Sequence, residues 1–169
     1  TNPVADMLDG VEGMLRQPTG CFEQTSSSNY PNTMVLQYLE EQPIADAAVV
    51  SRAKSLLEAG YARLVGFESQ NGGFDWFGRE HGHEELTAYG LQQFMDMRRV
   101  FGGVSTGMIT RTNDWLSGRS DGRGGYHRNT KASHQFGRAP YEVTAGYVTY
   151  SLVQAGKTRG LRRELDYQE

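Results

Sequence analysis

The chain has a single cysteine, Cys21, and three residues further on stands Gln24. Residues three apart face each other on a helical turn, so the Cys21 sulfur can reach the side-chain carbonyl of Gln24. If the sulfur displaces the amide nitrogen as ammonia, the product is an internal thioester, a stored acylating agent built from two ordinary side chains. The turn formers Pro18 and Gly20 set Cys21 at or near a helix N-terminus. There the helix dipole favours negative sulfur and makes the thiolate a better leaving group. A bare Cys-x-Glu-Gln also arises by chance, and a small buried cysteine beside a polar helix start would account for the same four residues.

The flanks separate these readings. Gly20-Cys21-Phe22-Glu23-Gln24 resembles the Gly-Cys-Gly-Glu-Gln thioester region of the alpha-2-macroglobulin and complement family, with Phe22 in place of a glycine as in bacterial members. Leu15-Arg16-Gln17-Pro18-Thr19 before it and Asn29-Tyr30-Pro31-Asn32 after it fit the same pattern. The resemblance implies a thioester between Cys21 and Gln24, with Gly20 and Glu23 as supporting motif residues. It also implies an α/α toroid, similar to the terpenoid cyclases, of about six helical hairpins. About three hairpins are legible here, so residues 1–169 are expected to form about half of such a domain, a partial ring of antiparallel hairpins.

In the same family a histidine lies in the loop before an inner helix, eight residues past an aromatic. Here Tyr126 is that aromatic, His134 stands eight residues on, and Gln135 follows as in complement proteins; Phe136 then departs from their pattern. The resemblance makes His134 the third reactive residue. An imidazole can attack the thioester carbonyl, leaving an acyl-imidazole on Gln24 and a Cys21 thiolate able to act as general base on a hydroxyl.

The function implied is that of a large secreted or periplasmic protein that traps proteases. Amines and hydroxyls on the target would become acylated by Gln24, once only, so the chain is not an enzyme in the turnover sense. A hydrolase or acyltransferase using Cys21 and His134 is a competing reading and would keep Gln24 as a free amide. A helical toroid that only binds a protein or ligand is another. An isoprenoid-type enzyme would need an Asp-rich motif or a zinc triad, and neither is present. His81-Gly82-His83-Glu84-Glu85 offers only two imidazoles in a glycine loop, too few converging ligands for a metal site. No cofactor or metal is expected.

The bulk properties suit a soluble globular chain with a real core: 169 residues, 37% apolar, 22% charged, mean hydropathy −0.60. No transmembrane span and no signal peptide are visible, and the opening Thr1-Asn2-Pro3-Val4 reads as a piece of something larger. The net charge of −3 argues against nucleic acid as partner. Residues 1–97 carry 5 Lys/Arg and 14 Asp/Glu, whereas residues 98–169 carry 12 and 6. Attraction between these halves is the simple reading; a basic docking face would require its charges to converge.

The elements that must position Cys21, Gln24 and His134 are all helical. Spacing predicts a helix over residues 3–16, then the Pro18–Gln24 turn. Ser26-Ser27-Ser28-Asn29 is a poor helix interior, so a fray or bend is expected there, with a restart at Pro31 and Asn32. A helix over 44–66 carries the stripe Val49, Ala53, Leu56, Leu57, Gly60, Tyr61 and Leu64. Glu84 and Glu85 open another to about Val100, 105–117 form a third, and Tyr141 to about Ala155 a fourth. Asn71-Gly72-Gly73-Phe74 is echoed by Arg123-Gly124-Gly125-Tyr126, a helix–Gly-Gly-aromatic–helix repeat of about fifty residues. Trp76, Phe77, Tyr89, Tyr147 and Tyr150 are expected in the core or its seams. Phe22, Tyr30 or Phe136 are candidates to screen the thioester from water.

Overall fold

The computed structural model describes residues 10–42, 45–79, 81–130, 139–157 and 159–167. The chain is all-α. Its helices are α1 (Phe22–Glu40), α2 (Ala47–Val65), α3 (Glu84–Val100), α4 (Thr106–Ser117), α5 (Tyr141–Gln154) and the short α6 (Arg162–Asp166). Among the described residues, strand-like pairing is limited to three isolated bridges in the connecting loops. Among the described residues no helix is long and apolar enough to cross a membrane. Two compact units share the chain: Thr1–Gly66 with Asp96–Val104, and Phe67–Met95 with Ser105–Glu169.

In the first unit α1 and α2 pack together. Asp46 caps α2 by accepting from the backbone N–H of Ala48 and Val49. Val49, Ala53, Leu57, Gly60 and Leu64 form its buried stripe, while Leu56 and Tyr61 are half-buried. A Cβ on Gly60 would fall on the Asn29 carboxamide of α1, so the glycine lets the two backbones approach at that level.

The expected break at Ser26–Asn29 does not occur: α1 runs unbroken from Phe22 to Glu40, with Pro31 inside it. The reason is tertiary. Ser26, Asn29, Asn32 and Thr33 are buried, and their neighbours bond back to the helix. Ser28 Oγ donates to the Gln24 carbonyl at 2.7 Å, and Thr33 Oγ1 to that of Asn29 at 3.3 Å. Asn32 pairs with both backbone groups of Arg16, each at 2.8 Å. That pairing also explains why the helix expected up to residue 16 stops after residue 12, for Arg16 is committed to Asn32 instead of a helical ladder.

The second unit takes α3 as far as Met95, with α4 and α5, and the bounds of all three helices agree with the spacing in the sequence to within a residue. Leu86, Ala88, Leu91, Phe94 and Met97 of α3 are buried. Phe94 meets Phe74 at 5.3 Å between ring centroids. The attraction between acidic and basic halves of the sequence takes a local form: Arg111 pairs with Glu68, Arg119 with Glu84 and Arg128 with Glu85.

Of the five aromatics expected in the core or its seams, two differ and three lie at seams. Phe77 and Tyr150 are 52% and 53% exposed, and Trp76, Tyr89 and Tyr147 are half-buried. Phe77 sits in a loop with the Arg79 guanidinium 5.6 Å from its ring centroid, a cation–π contact in place of a core. Among the described residues, the fully enclosed phenyl and phenol rings are Phe22, Phe74, Phe94 and Tyr126. Past α5 the chain forms the short α6.

Candidate functional site

Cys21 is the N-cap of α1, with extended backbone at φ −74° and ψ −175°. Its thiol is free and half-buried. Gln24, three residues into the helix, folds its side chain back so that Oε1 accepts the Cys21 N–H at 3.2 Å. The Cys21 side chain in turn takes the Gln24 N–H, so the two residues form a reciprocal capping box. Sulfur and carboxamide are therefore held over the same helix end, and the carbonyl that a sulfur would attack is already polarised by a backbone donor.

Gly20 makes this return possible. Its φ is +84°, a conformation that costs a side-chain-bearing residue dearly. A Cβ there would fall on Gln24 Oε1 and lie 2.8 Å from Gln24 Cδ. The space an alanine methyl would fill is the space the carboxamide occupies. Glu23 is exposed at the first turn of α1, where its charge complements the helix dipole.

Two residues that the sequence did not single out hold the turn from behind. Thr25 Oγ1 donates to the carbonyls of Thr19 and Gly20 at 3.2 and 3.3 Å. Arg63, near the end of α2, donates to the Gly20 carbonyl through Nε at 3.1 Å and Nη2 at 2.6 Å, and to Thr25 Oγ1 at 3.1 Å. Of the rings considered as screens, Phe22 is wholly buried and belongs to the core, and Tyr30 donates its hydroxyl to Asp96 at 2.7 Å. His134 and Phe136 lie outside the described residues.

The structure exposes a register that explains Arg63. The glycine loops pair Glu68 with Phe74 and Ser120 with Tyr126, which sets the two copies 52 residues apart. The same step backwards from Gly72-Gly73-Phe74 lands on Gly20-Cys21-Phe22. All three leading glycines have positive φ, +84°, +82° and +102° for Gly20, Gly72 and Gly124. All three aromatics, Phe22, Phe74 and Tyr126, are 2% exposed or less. A side chain 43 residues on covers each glycine: Arg63 at Gly20, Trp115 at Gly72, Tyr167 at Gly124. The candidate site is the first copy of the chain's own repeat, with cysteine where the later copies have their second glycine.

The histidine pair is placed differently from a ligand set. His83 is buried, its ring edge-on to Trp76 at 4.4 Å, with Nε2 3.9 Å from Asp75. His81 lines an open cleft beside Gly72, Trp115 and Arg119. Glu84, fully buried, faces Arg119 Nε at 2.8 Å and the Asn129 N–H at 3.0 Å. The carboxylates thus turn to arginines and backbone, and among the described residues no group of three or more His, Cys, Asp or Glu could hold a metal ion.

The sequence matches the A-macroglobulin TED domain over residues 2–164. The chain belongs to that family. Two alleles of thioester-containing protein 1 from Anopheles gambiae, S3 and S1, are each 23% identical to this TED chain over 134 residues, or 79% of it. The chain spans about a tenth of the length of these relatives, 10% in each case. Among solved structures it is similar to native alpha-2-macroglobulin from Escherichia coli spanning MG7 to the C-terminus, with a TM-score of 0.53 and 20% identity, covering 98% of this chain and 30% of that one. Salmonella alpha-2-macroglobulin reacted with methylamine gives a TM-score of 0.54 at 20% identity, covering 95% and 12%. At that identity the likeness establishes the helical fold.

Proposed function

We propose that Cys21 and Gln24 form an internal thioester, and that this bond captures target proteins covalently within a larger protease-trapping protein of the alpha-2-macroglobulin type. The observation that carries the reading is the Gln24 carboxamide folded back over Gly20 onto the Cys21 N–H, at the N-terminus of α1, in a chain of the TED family. Formation is a balanced exchange. The Cys21 sulfur bonds to Gln24 Cδ, the Cδ–Nε2 bond breaks, and the thiol proton leaves with the nitrogen as ammonia. Negative charge developing on Oε1 during attack is met by the Cys21 N–H. A target amine then takes the acyl group as an amide and returns the Cys21 thiol. With His134 as first acceptor, hydroxyls compete for the same acyl group.

The capture is single-use, so the chain acts as a trap and does not turn over. The remaining proposals follow from the family. Residues 1–169 form about half of an α/α toroid, further domains of a secreted or periplasmic parent complete and shield it, and proteases are the targets. A deficit of about 17 daltons in the intact mass, one ammonia lost on acyl transfer, is the expected result for the full-length protein. Methylamine should abolish the deficit by adding to the Gln24 peptide and free the Cys21 thiol to titration. A full-length protein with an intact Gln24 amide and a permanently free thiol would overturn the reading.

A further inference from the structure

We infer that Arg63 is a positioning residue for thioester formation, an inference that rests on the thioester reading above. The peptide group joining Gly20 to Cys21 is planar, with its carbonyl and its N–H pointing in opposite directions. Arg63 grips the carbonyl end with two donors, Nε and Nη2. The N–H end is the one that meets Gln24 Oε1. One rigid unit therefore links the guanidinium to the carbonyl oxygen on which charge develops when sulfur attacks. The guanidinium fixes the plane in which that N–H points. Its positive charge also polarises the peptide, which strengthens the N–H as a donor.

The other two copies of the repeat show why this position needs an arginine. Over Gly72, the indole of Trp115 comes within 2.6 Å of where a Cβ would be. Over Gly124, Tyr167 lies with its Cβ at 2.6 Å and its ring carbon Cγ at 3.0 Å. At Gly20 that space belongs to the Gln24 carboxamide. Arginine at 63 leaves that space to the carboxamide and reaches past it to the carbonyl. An aromatic at 63 would compete with Gln24 for it.

The test compares the full-length protein with Arg63→Ala, Arg63→Lys and Arg63→Trp, scoring the fraction of chains with the ammonia-loss mass deficit and the Cys21 thiol titre. Arg52→Ala, an exposed arginine on the same helix paired with Glu12, serves as control. We expect Arg52→Ala to match wild type, and Arg63→Ala to form the bond about tenfold more slowly or worse, since misplacement near an acyl-transfer centre carries penalties of that order. Arg63→Lys should recover part of the loss and Arg63→Trp none, with melting temperatures of Arg63→Ala and Arg63→Lys alike. Wild-type occupancy in Arg63→Ala would overturn the inference while leaving the thioester reading standing. So would a loss that follows melting temperature across all three variants without recovery by lysine. A wild-type protein lacking the deficit would overturn the thioester reading and this inference with it.

Discussion

Gly72 and Gly20 occupy the same place in the repeat and have nearly the same backbone, at φ +82° and +84°. At Gly72 the vacancy left by the missing side chain is filled by Trp115, and a second glycine, Gly73, follows. Nine residues of loop then separate Phe74 from α3. At Gly20 the vacancy is filled by the carboxamide of Gln24, cysteine follows, and the helix starts on the aromatic itself. A turn that serves packing in one copy becomes, in the other, a cradle for two groups able to react. The change needs a helix beginning at once, so that residue i+3 returns over the turn, and a covering residue slim enough to admit it.

If the three copies are equivalent in the core, removing their aromatics should cost alike. Phe22→Ala, Phe74→Ala and Tyr126→Ala are each expected to lose about 3–5 kcal/mol in denaturant titrations. A loss below about 1 kcal/mol at any one of them would break the equivalence. The glycines should cost less and diverge in chemistry. Gly20→Ala and Gly72→Ala should each lose about 1–3 kcal/mol through the strained backbone. Only Gly20→Ala should also lose the mass deficit; loss in both, or in neither, would dissolve the distinction between a cradle and a packing turn.

The smallest effect concerns the third copy, where Asp121 accepts from the N–H groups of Arg123 and Gly125 at 2.7 and 3.0 Å and from the Tyr141 hydroxyl at 2.8 Å. The Arg123 N–H foremost, then the Tyr141 hydroxyl and the Gly125 N–H, hold its carboxyl below the usual value against the opposing effect of burial. A depressed folded-state pKa contributes stability that is complete above the unfolded value and lost as pH falls through the folded one. Protection of the Arg123 and Gly125 amides from exchange, taken relative to their intrinsic rates, should therefore hold steady down to about pH 4 and fall below it. In Asp121→Asn that acid limb should vanish. The Cys21 N–H is accepted by the Gln24 carboxamide and not by a carboxylate, so it should show no such limb in the same experiment.

Much of this was legible in the sequence. The starts of α3 at paired glutamates and of α4 after Ser105, and the Gly-Gly-aromatic echo, are local signals, and local signals survive folding. The continuity of α1 through Ser26–Pro31 was not, because it depends on Asn29 meeting Gly60 and Asn32 meeting Arg16, partners distant in sequence. The closeness of Cys21 and Gln24 follows from helical spacing alone. The role of Arg63 does not, since an exposed arginine at a helix end has a dozen ordinary explanations. The 52-residue step that reveals it was available, but Cys21 in place of a second glycine and the immediate helix disguised the first copy.

Phe22 opens α1 with no residue between the turn and the helix, whereas nine residues follow Phe74 before α3 begins. The first copy consequently has no slack. Each residue inserted or deleted between Gly20 and Gln24 would rotate the glutamine by about 100° around the helix, carrying it off the turn while dragging Phe22 from the core. Length is thus fixed at residues 20–24, so the site and the core are bound to one another as a single ruler.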